Sequence, residues 1–256
     1  MIFESHAHYD DEAFDTDREE LLTSLEEHGI GTVVNIGASL AGSEATVKLA
    51  EKYPFIYGAV GVHPSEVTEL TEEGMARLRS LCGHEKVVAV GEMGLDYHYP
   101  EPDAALQKKW FERQLDLAKE VRLPVIIHSR EAAKDTLDMM RALRAEETGG
   151  VVHCFSYTKE MAREYLDMGY YFGIGGVITF KNAKKLKEAV QYIPMDRILL
   201  ETDSPYLSPE PHRGERNSSL NLPYVVSAIS ELKGISCEEV TEQTERNARK
   251  LFRLEG

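Results

Sequence analysis

Ile2-Phe3-Glu4-Ser5-His6-Ala7-His8 is a short, mostly apolar start that ends in two histidines one residue apart. In an extended strand, residues i and i+2 face the same side. His6 and His8 therefore present two imidazoles together, a spacing at which they can share a divalent cation. Taken alone, such a pair also reads as two satisfied or exposed polar residues. What decides is whether later apolar runs deliver further ligand-type side chains to the same end of the molecule.

They do. After this first run, Asp15-Thr16-Asp17 offers capping side chains, and Leu21, Leu22 and Leu25 share a helical face until Gly29. Residues 32–36 read as a strand, and about 41–53 as a helix stopped by Pro54. Residues 56–62 form a strand leading to His63-Pro64, and Thr71-Glu72-Glu73 begins a helix. Residues 87–90 form a strand that runs on into Gly91-Glu92-Met93-Gly94-Leu95-Asp96, before a long helix at about 103–121. A strand at 124–127 delivers His128 and precedes a helix at about 131–144. Val151-Val152 delivers His153, and a helix follows at about 158–168. A strand at 170–174 precedes a helix near 182–192, and a strand at 197–200 delivers Glu201-Thr202-Asp203. Two helices close the chain, at about 222–233 and 236–251, the second opening with Ser236 and Glu239 at capping-box spacing.

Eight strand–helix units in 256 residues, with no linker or low-complexity stretch, predict a single α/β domain over 1–256. The expected architecture is a (β/α)8 TIM barrel with C-terminal closing helices. A doubly wound open sheet is the competing fold, but Gly173-Ile174-Gly175-Gly176 lacks the dinucleotide-binding spacing. In a barrel the C-terminal strand ends form one rim, where active sites sit. His6, His8, His63, Glu92, His128, His153 and Asp203 would all converge there.

Composition narrows the partners. There are 29 Lys and Arg against 44 Asp and Glu, a formal charge of −15, which argues against tight nonspecific binding of duplex DNA through a broad basic surface. A small anionic substrate whose charge is met by metal ions in a cleft stays compatible. No apolar stretch reaches the roughly 18 residues that span a bilayer, and the start lacks a basic region followed by an apolar run. No membrane association is expected. Cys82, Cys154 and Cys237 are odd in number and far apart, which fits a reducing compartment, the cytoplasm.

Four histidines, His6, His8, His128 and His153, join Glu92 and Asp203 as the expected metal ligands. One ion takes three or four protein ligands, so six predict two divalent ions per chain. Glu92 is expected to bridge, with His6, His8 and Asp203 on one ion and His128 and His153 on the other. The mixed imidazole and carboxylate set suits Zn, Mn, Fe or Co, and Mg less readily. Paired ions roughly 4 Å apart generate hydroxide near neutral pH and stabilise both attacking and leaving oxygens in phosphoryl displacement. Asp203 would accept the proton, and Glu201, two residues earlier, would orient a ligand from behind.

Arg130 and Arg213 are candidates for clamping phosphate, against the alternative of surface ion pairs. Tyr97-His98-Tyr99 could stack on an unpaired base, with an ordinary half-exposed loop as the alternative. Lys181, Lys184, Lys185 and Lys187 read as a solvated helix face or a local cationic lip. Cys154, on the strand face opposite His153, and Trp110 read as core packing. His28 and His84 read as surface residues.

Six motifs together carry a family resemblance: His6-Ala7-His8, Gly61-Val62-His63-Pro64, residues 91–97 from Gly91 to Tyr97, His128-Ser129-Arg130-Glu131-Ala132, His153-Cys154-Phe155-Ser156, and residues 201–207 from Glu201 to Leu207. In this order they resemble the TatD-type metal-dependent deoxyribonuclease family, over almost the whole chain. The resemblance implies a TIM barrel of the wider metal-dependent hydrolase superfamily. It implies hydrolysis of DNA phosphodiesters, often as a 3′-to-5′ exonuclease preferring single strands, so single-stranded DNA ends are the expected partner. The family's metal positions fall on the same six residues, and His63 falls on the substrate side. The chain departs from the family's pattern after His212-Arg213-Gly214-Glu215-Arg216-Asn217, which looks like the family's basic loop. Where Glu-Pro commonly follows, Ser218-Ser219-Leu220-Asn221 intervenes before Leu222-Pro223.

Two other functions compete. One keeps the barrel and changes the bond: an amide, lactone or aminoacyl ester, including D-aminoacyl-tRNA. Many such hydrolases bridge their metals with a carbamoylated lysine. No lysine ends the strands before Glu92 and His128, which favours a carboxylate bridge. The other is a metal-holding interaction protein without turnover.

Overall fold

The computed structural model describes residues 1–254; residues 255–256 of the expected domain lie outside the described residues. Strands and helices alternate: β1 Ile2–Ala7, α1 Arg18–Ser24, β2 Ile30–Ile36, α2 Leu40–Lys52, β3 Ile56–Val60, α3 Glu72–Leu81, β4 Val87–Asp96 and α4 Ala104–Val121. The second half continues with β5 Val125–Arg130, α5 Ala133–Ala142, β6 Gly150–Val152, α6 Lys159–Asp167, β7 Tyr171–Ile174, α7 Lys184–Tyr192 and β8 Ile198–Leu200. Helices α8 Leu222–Lys233 and α9 Cys237–Leu251 follow.

All neighbouring strands pair in parallel, in the order β1 to β8. The circle closes between the ends of the sequence of strands. Ala7 bridges to Ser204, the Asp203 N–H donates to the His6 carbonyl at 2.9 Å, and the His8 N–H donates to the Ser204 carbonyl at 2.8 Å. This is the expected TIM barrel. A parallel barrel is covered on both faces, which explains why its strands read as near-continuous apolar runs rather than alternating ones.

One buried cluster takes side chains from every strand, among them Phe3, Val34, Ala59, Val88, Ile126, Val151, Tyr171 and Leu199, together with Ala248, Leu251 and Phe252. Phe3 and Phe252 stack with ring centroids 6.0 Å apart, so the end of α9 plugs the N-terminal mouth. A larger apolar layer, including Trp110, lies between sheet and helices. With the bottom sealed, the C-terminal rim is where polar side chains can gather.

Two strands run further than the sequence suggests. β4 continues to Asp96 and β5 to Arg130 because residues 93–96 keep parallel pairing with residues 127–130. Glu92 and His128 therefore project from within strands, not from the loops after them. Gly94 makes the pairing possible: its φ is +147°, and a Cβ there would stand 1.9 Å from the His128 carbonyl oxygen. The Gln107 side chain of α4 accepts from the Asp96 N–H at 2.8 Å and donates to the Asp96 carbonyl at 2.8 Å, holding the end of β4. α5 is shorter than expected, because Glu131 and Arg144 both take left-handed backbone at φ 55° and 52°. Cys154 departs from its expected place on a strand face. It lies beyond β6 at φ 45°, half-buried beside the rim cluster.

Candidate metal centre

His6 in β1 and His8 just beyond its end stand with their Nε2 atoms 3.2 Å apart. His8 Nδ1 lies 2.9 Å from the Ile36 carbonyl oxygen. A carbonyl only accepts, so Nδ1 carries a proton, which leaves Nε2 as the atom that can ligate once the ring gives up its second proton. Asp203, at φ 58°, brings Oδ1 to 3.5 Å from both Nε2 atoms. Glu92 Oε2 stands 3.3 Å from His6 Nε2 and 3.6 Å from His8 Nε2. The two nitrogens thus lie 3.2 Å apart and 3.3–3.6 Å from each of the two oxygens. Donors sharing one tetrahedral cation at bond lengths near 2.0–2.1 Å are separated by about 3.3 Å. The residues fit a divalent ion.

The other oxygen of Glu92 faces a second group. Oε1 lies 2.7 Å from His128 Nδ1, 2.7 Å from His153 Nε2 and 3.7 Å from His63 Nε2. His128 Nδ1 and His153 Nε2 are 3.0 Å apart. Each carboxylate oxygen therefore faces its own pair of rings, Oε2 that of His6 and His8 and Oε1 that of His128 and His153. His63, placed on the substrate side by the family resemblance, joins the Oε1 group, with Nδ1 2.7 Å from Ser65 Oγ. Three sets of donor atoms lie within 4.8 Å of one another: His6–His8–Asp203, His6–His153–Glu201 and His63–Glu92–His128.

Glu201 sits behind His153, with Oε1 3.8 Å from the ring's Nδ1 and accepting the Cys154 N–H at 2.5 Å. Its Oε2 is buried without a partner among the described residues. Gly173 of β7 makes the room, because a Cβ there would stand 1.9 Å from that oxygen. Sequence reasoning gave no role to Asp96, whose Oδ2 lies 3.3 Å from His128 Nε2. That is the carboxylate–histidine arrangement that orients a ligand. The signal was period two: residues 92, 94 and 96 share a strand face.

Charge balances within the cluster. Burial, with the neighbouring His153 charge, pushes His6 down to about 4. Burial and the nearby His128 push His63 down to about 3. Burial also opposes the charge on His8, but the Asp203 hydrogen bond and the charges of Glu92 and Asp203 override it and raise His8 to about 9. Burial is likewise overridden at His153, where the Glu92 charge and contact raise the ring to about 10. Burial alone would raise Glu92, yet His153, His6 and His63 hold it well below the usual carboxylate range. Asp203 is lowered too, against its burial, by its hydrogen bond to His8. Burial pushes Glu201 up to about 8. Without metal, two ionised carboxylates are thus met by two protonated rings, which is charge that cations would replace.

Around the mouth, Arg130 follows His128 by two residues and is exposed, its guanidinium 5.8 Å from the Tyr99 ring centroid. The Tyr97 hydroxyl donates to Asp135 Oδ2 at 2.9 Å and the ring is half-buried, whereas Tyr99 is 58% exposed. Of the two tyrosines, Tyr99 is the one that presents its ring to solvent, with His98 edge-on to it at 4.7 Å between centroids. Arg213 stacks over Phe180 at 4.4 Å. Neither arginine has a carboxylate partner among the described residues, unlike Arg216, which grips both Asp17 oxygens at 2.7 and 2.5 Å. Lys181, Lys184 and Lys185 are exposed.

The chain matches the family model described as TatD related DNase over residues 3–253. It is 44% identical over 254 residues to the uncharacterized metal-dependent hydrolase YabD of Bacillus subtilis, covering 99% of this chain and 100% of that protein. It is 36% identical over 245 residues to the 3′-5′ ssDNA/RNA exonuclease TatD of Cronobacter sakazakii, covering 93% of each. The crystal structure of YJJV, a TatD homologue from Escherichia coli K12, superposes with a TM-score of 0.93 at 30% identity, covering 98% of each chain. Among the described residues no helix is long and apolar enough to cross a membrane.

Proposed function

Because this chain belongs to the family of TatD-related DNases, metal-dependent hydrolases, we propose that its rim cluster hydrolyses DNA phosphodiesters as a 3′-to-5′ exonuclease on single-stranded ends. The observation that carries this reading is the Glu92 carboxylate, with Oε2 facing His6 and His8, the two rings that Asp203 also faces, and Oε1 facing His128 and His153. A carboxylate so placed suits two divalent cations side by side, the arrangement used for phosphoryl displacement. Zn, Mn, Fe, Co or Mg are the candidates. The Cronobacter sakazakii relative, named for single-strand exonuclease activity, supports the substrate class.

Bound divalent ions would supply an acidified water and neutralise charge on the phosphodiester. The chain's own side chains do the rest. Asp203, held ionised at neutral pH, takes a proton at a carboxylate oxygen. Asp96 fixes the His128 ring and Glu201 stands behind His153. His63 closes the Oε1 side of the cleft. Arg130 and Arg213, without a carboxylate partner among the described residues, bind phosphates, and Tyr99 offers a face to an unpaired base. Residues 1–256 act as one catalytic domain in the cytoplasm, where its three free cysteines stay reduced.

An end-labelled single strand incubated with Mn2+ or Mg2+ tests the proposal. Release of 5′-mononucleotides that stops with chelator is expected. No release with any metal, alongside hydrolysis of D-aminoacyl-tRNA by the same preparation, would replace the phosphodiester with an aminoacyl ester.

A further inference from the structure

The loop that departs from the family's pattern turns out to reach the back of the metal centre. Ser219 Oγ–H donates to Glu4 Oε2 at 2.9 Å, and Glu4 is fully buried. Glu4 accepts three more hydrogen bonds. Its Oε1 takes the His6 N–H at 3.2 Å and the Thr202 N–H at 2.9 Å, and its Oε2 takes the Thr202 hydroxyl at 2.6 Å. One carboxylate thus grips the backbone of His6 and of the residue just before Asp203, on both sides of the seam where β8 meets β1.

Ser219 is itself held. The Tyr9 hydroxyl donates to Ser219 Oγ at 2.7 Å and accepts the Ser219 N–H at 2.9 Å. Asn217 Nδ2 donates to the Thr202 carbonyl at 3.0 Å, so the N–H, hydroxyl and carbonyl of Thr202 are all engaged. Asp203 needs such support. At φ 58° it sits in the left-handed region, which a non-glycine residue holds only where the surroundings over-determine it.

We propose that Glu4 and Ser219 are a positioning pair for the His6–His8–Asp203 half of the metal centre, tying it to the loop that carries Arg213. Neither touches a metal-facing atom. They act through the backbone on either side of the seam. The His128–His153 half hangs on β5 and β6 and is outside the grip. The inference rests on the metal centre, not on the identity of the substrate.

The test is calorimetric titration of chelator-stripped, full-length protein with Mn2+ alone, paired with thermal unfolding of the metal-free form. Glu4→Ala is expected to weaken one class of Mn2+ site by about 10–100-fold, the range for residues that orient ligands, and leave the other within about 3-fold. Glu4→Gln keeps the oxygen that both backbone N–H groups need, and its amide meets hydroxyls that can rotate. It should restore binding to within about 5-fold. Leu117→Ala, in the buried face of α4, should lower the melting temperature and leave both affinities alone, which separates positioning from general stability. If Glu4→Ala does not fold, Ser219→Ala decides, with one site weakened at least about 3-fold. Unchanged affinities in Glu4→Ala or in Ser219→Ala, or equal weakening of both sites, would sink the positioning role and leave the nuclease reading standing. Absence of any Mn2+ binding by the parent protein would remove the metal centre and this inference with it.

Discussion

Loading the chelator-stripped protein with Mn2+ at pH 7 is expected to release at least two protons per chain. His8 and His153 supply them. In the metal-free protein these rings are raised to about 9 and about 10, whereas an imidazole must give up its proton to bind a metal. His6 and His63, at about 4 and about 3, are already neutral, and Glu92 and Asp203, both lowered, are already ionised. His128, also raised, and Glu201, at about 8, can only add to the number. Each proton makes the overall binding constant about tenfold more favourable per pH unit, so two predict roughly a 100-fold gain between pH 6.5 and 7.5. The same rings shape the stability of the stripped protein. Their native pKa lies above the unfolded value of about 6.5, so the native state keeps protons that the unfolded chain has shed. Their stabilisation is complete below pH 6.5 and is lost as pH rises through 9 and 10. The slope would be at most about 2.7 kcal/mol per pH unit for two protons. Calorimetry in buffers of different ionisation enthalpy counts the protons, and urea unfolding with chelator follows the stability. Release of fewer than one proton at pH 7, or an affinity flat across that interval, would refute the charge balance derived from Glu92 and Asp203.

Three further outcomes follow from the geometry. Glu92→Gln removes the group that faces both sets of rings and should lower kcat/KM by at least about 1,000-fold, roughly 4 kcal/mol, with loss of bound metal; near-normal turnover would end the two-group reading. Arg130→Ala and Arg213→Ala should each raise KM for a single-stranded oligonucleotide and reduce the salt slope of binding by about 1, and an unaltered slope in both would show that neither meets phosphate. Gly173→Ala would drive a Cβ into Glu201 Oε2, to 1.9 Å in the unrelaxed structure, so urea unfolding should show a loss of about 1–3 kcal/mol; unchanged stability would mean that Glu201 has room to move.

Why some residues were readable and others not comes down to the range of the physics involved. Alternating apolar runs and capped helices are local signals, and His6, His8, His128 and His153 each follow or end such a run. Their chemistry is a property of the side chain, and a rim is implied once eight units are counted. Asp96 was harder, because β4 had to continue past Glu92, and that depended on Gly94 admitting β5 to hydrogen-bonding distance. Tyr97 and Tyr99 look alike in sequence. Only packing against α5 gives the Tyr97 hydroxyl to Asp135 and leaves Tyr99 in solvent. The loop after Asn217 reads as a departure from a pattern; its hydrogen bond to Glu4 spans 215 positions and has no local trace.

By itself the sequence determined the barrel and the kinds of donor on its rim, because strand periodicity and side-chain chemistry act over a few residues. The tertiary structure alone decided that Glu4 grips the backbone of His6 and Thr202 from behind the seam and that Ser219 reaches it there. Those relations are set when β8 closes on β1, and closure brings together groups that no window along the chain contains.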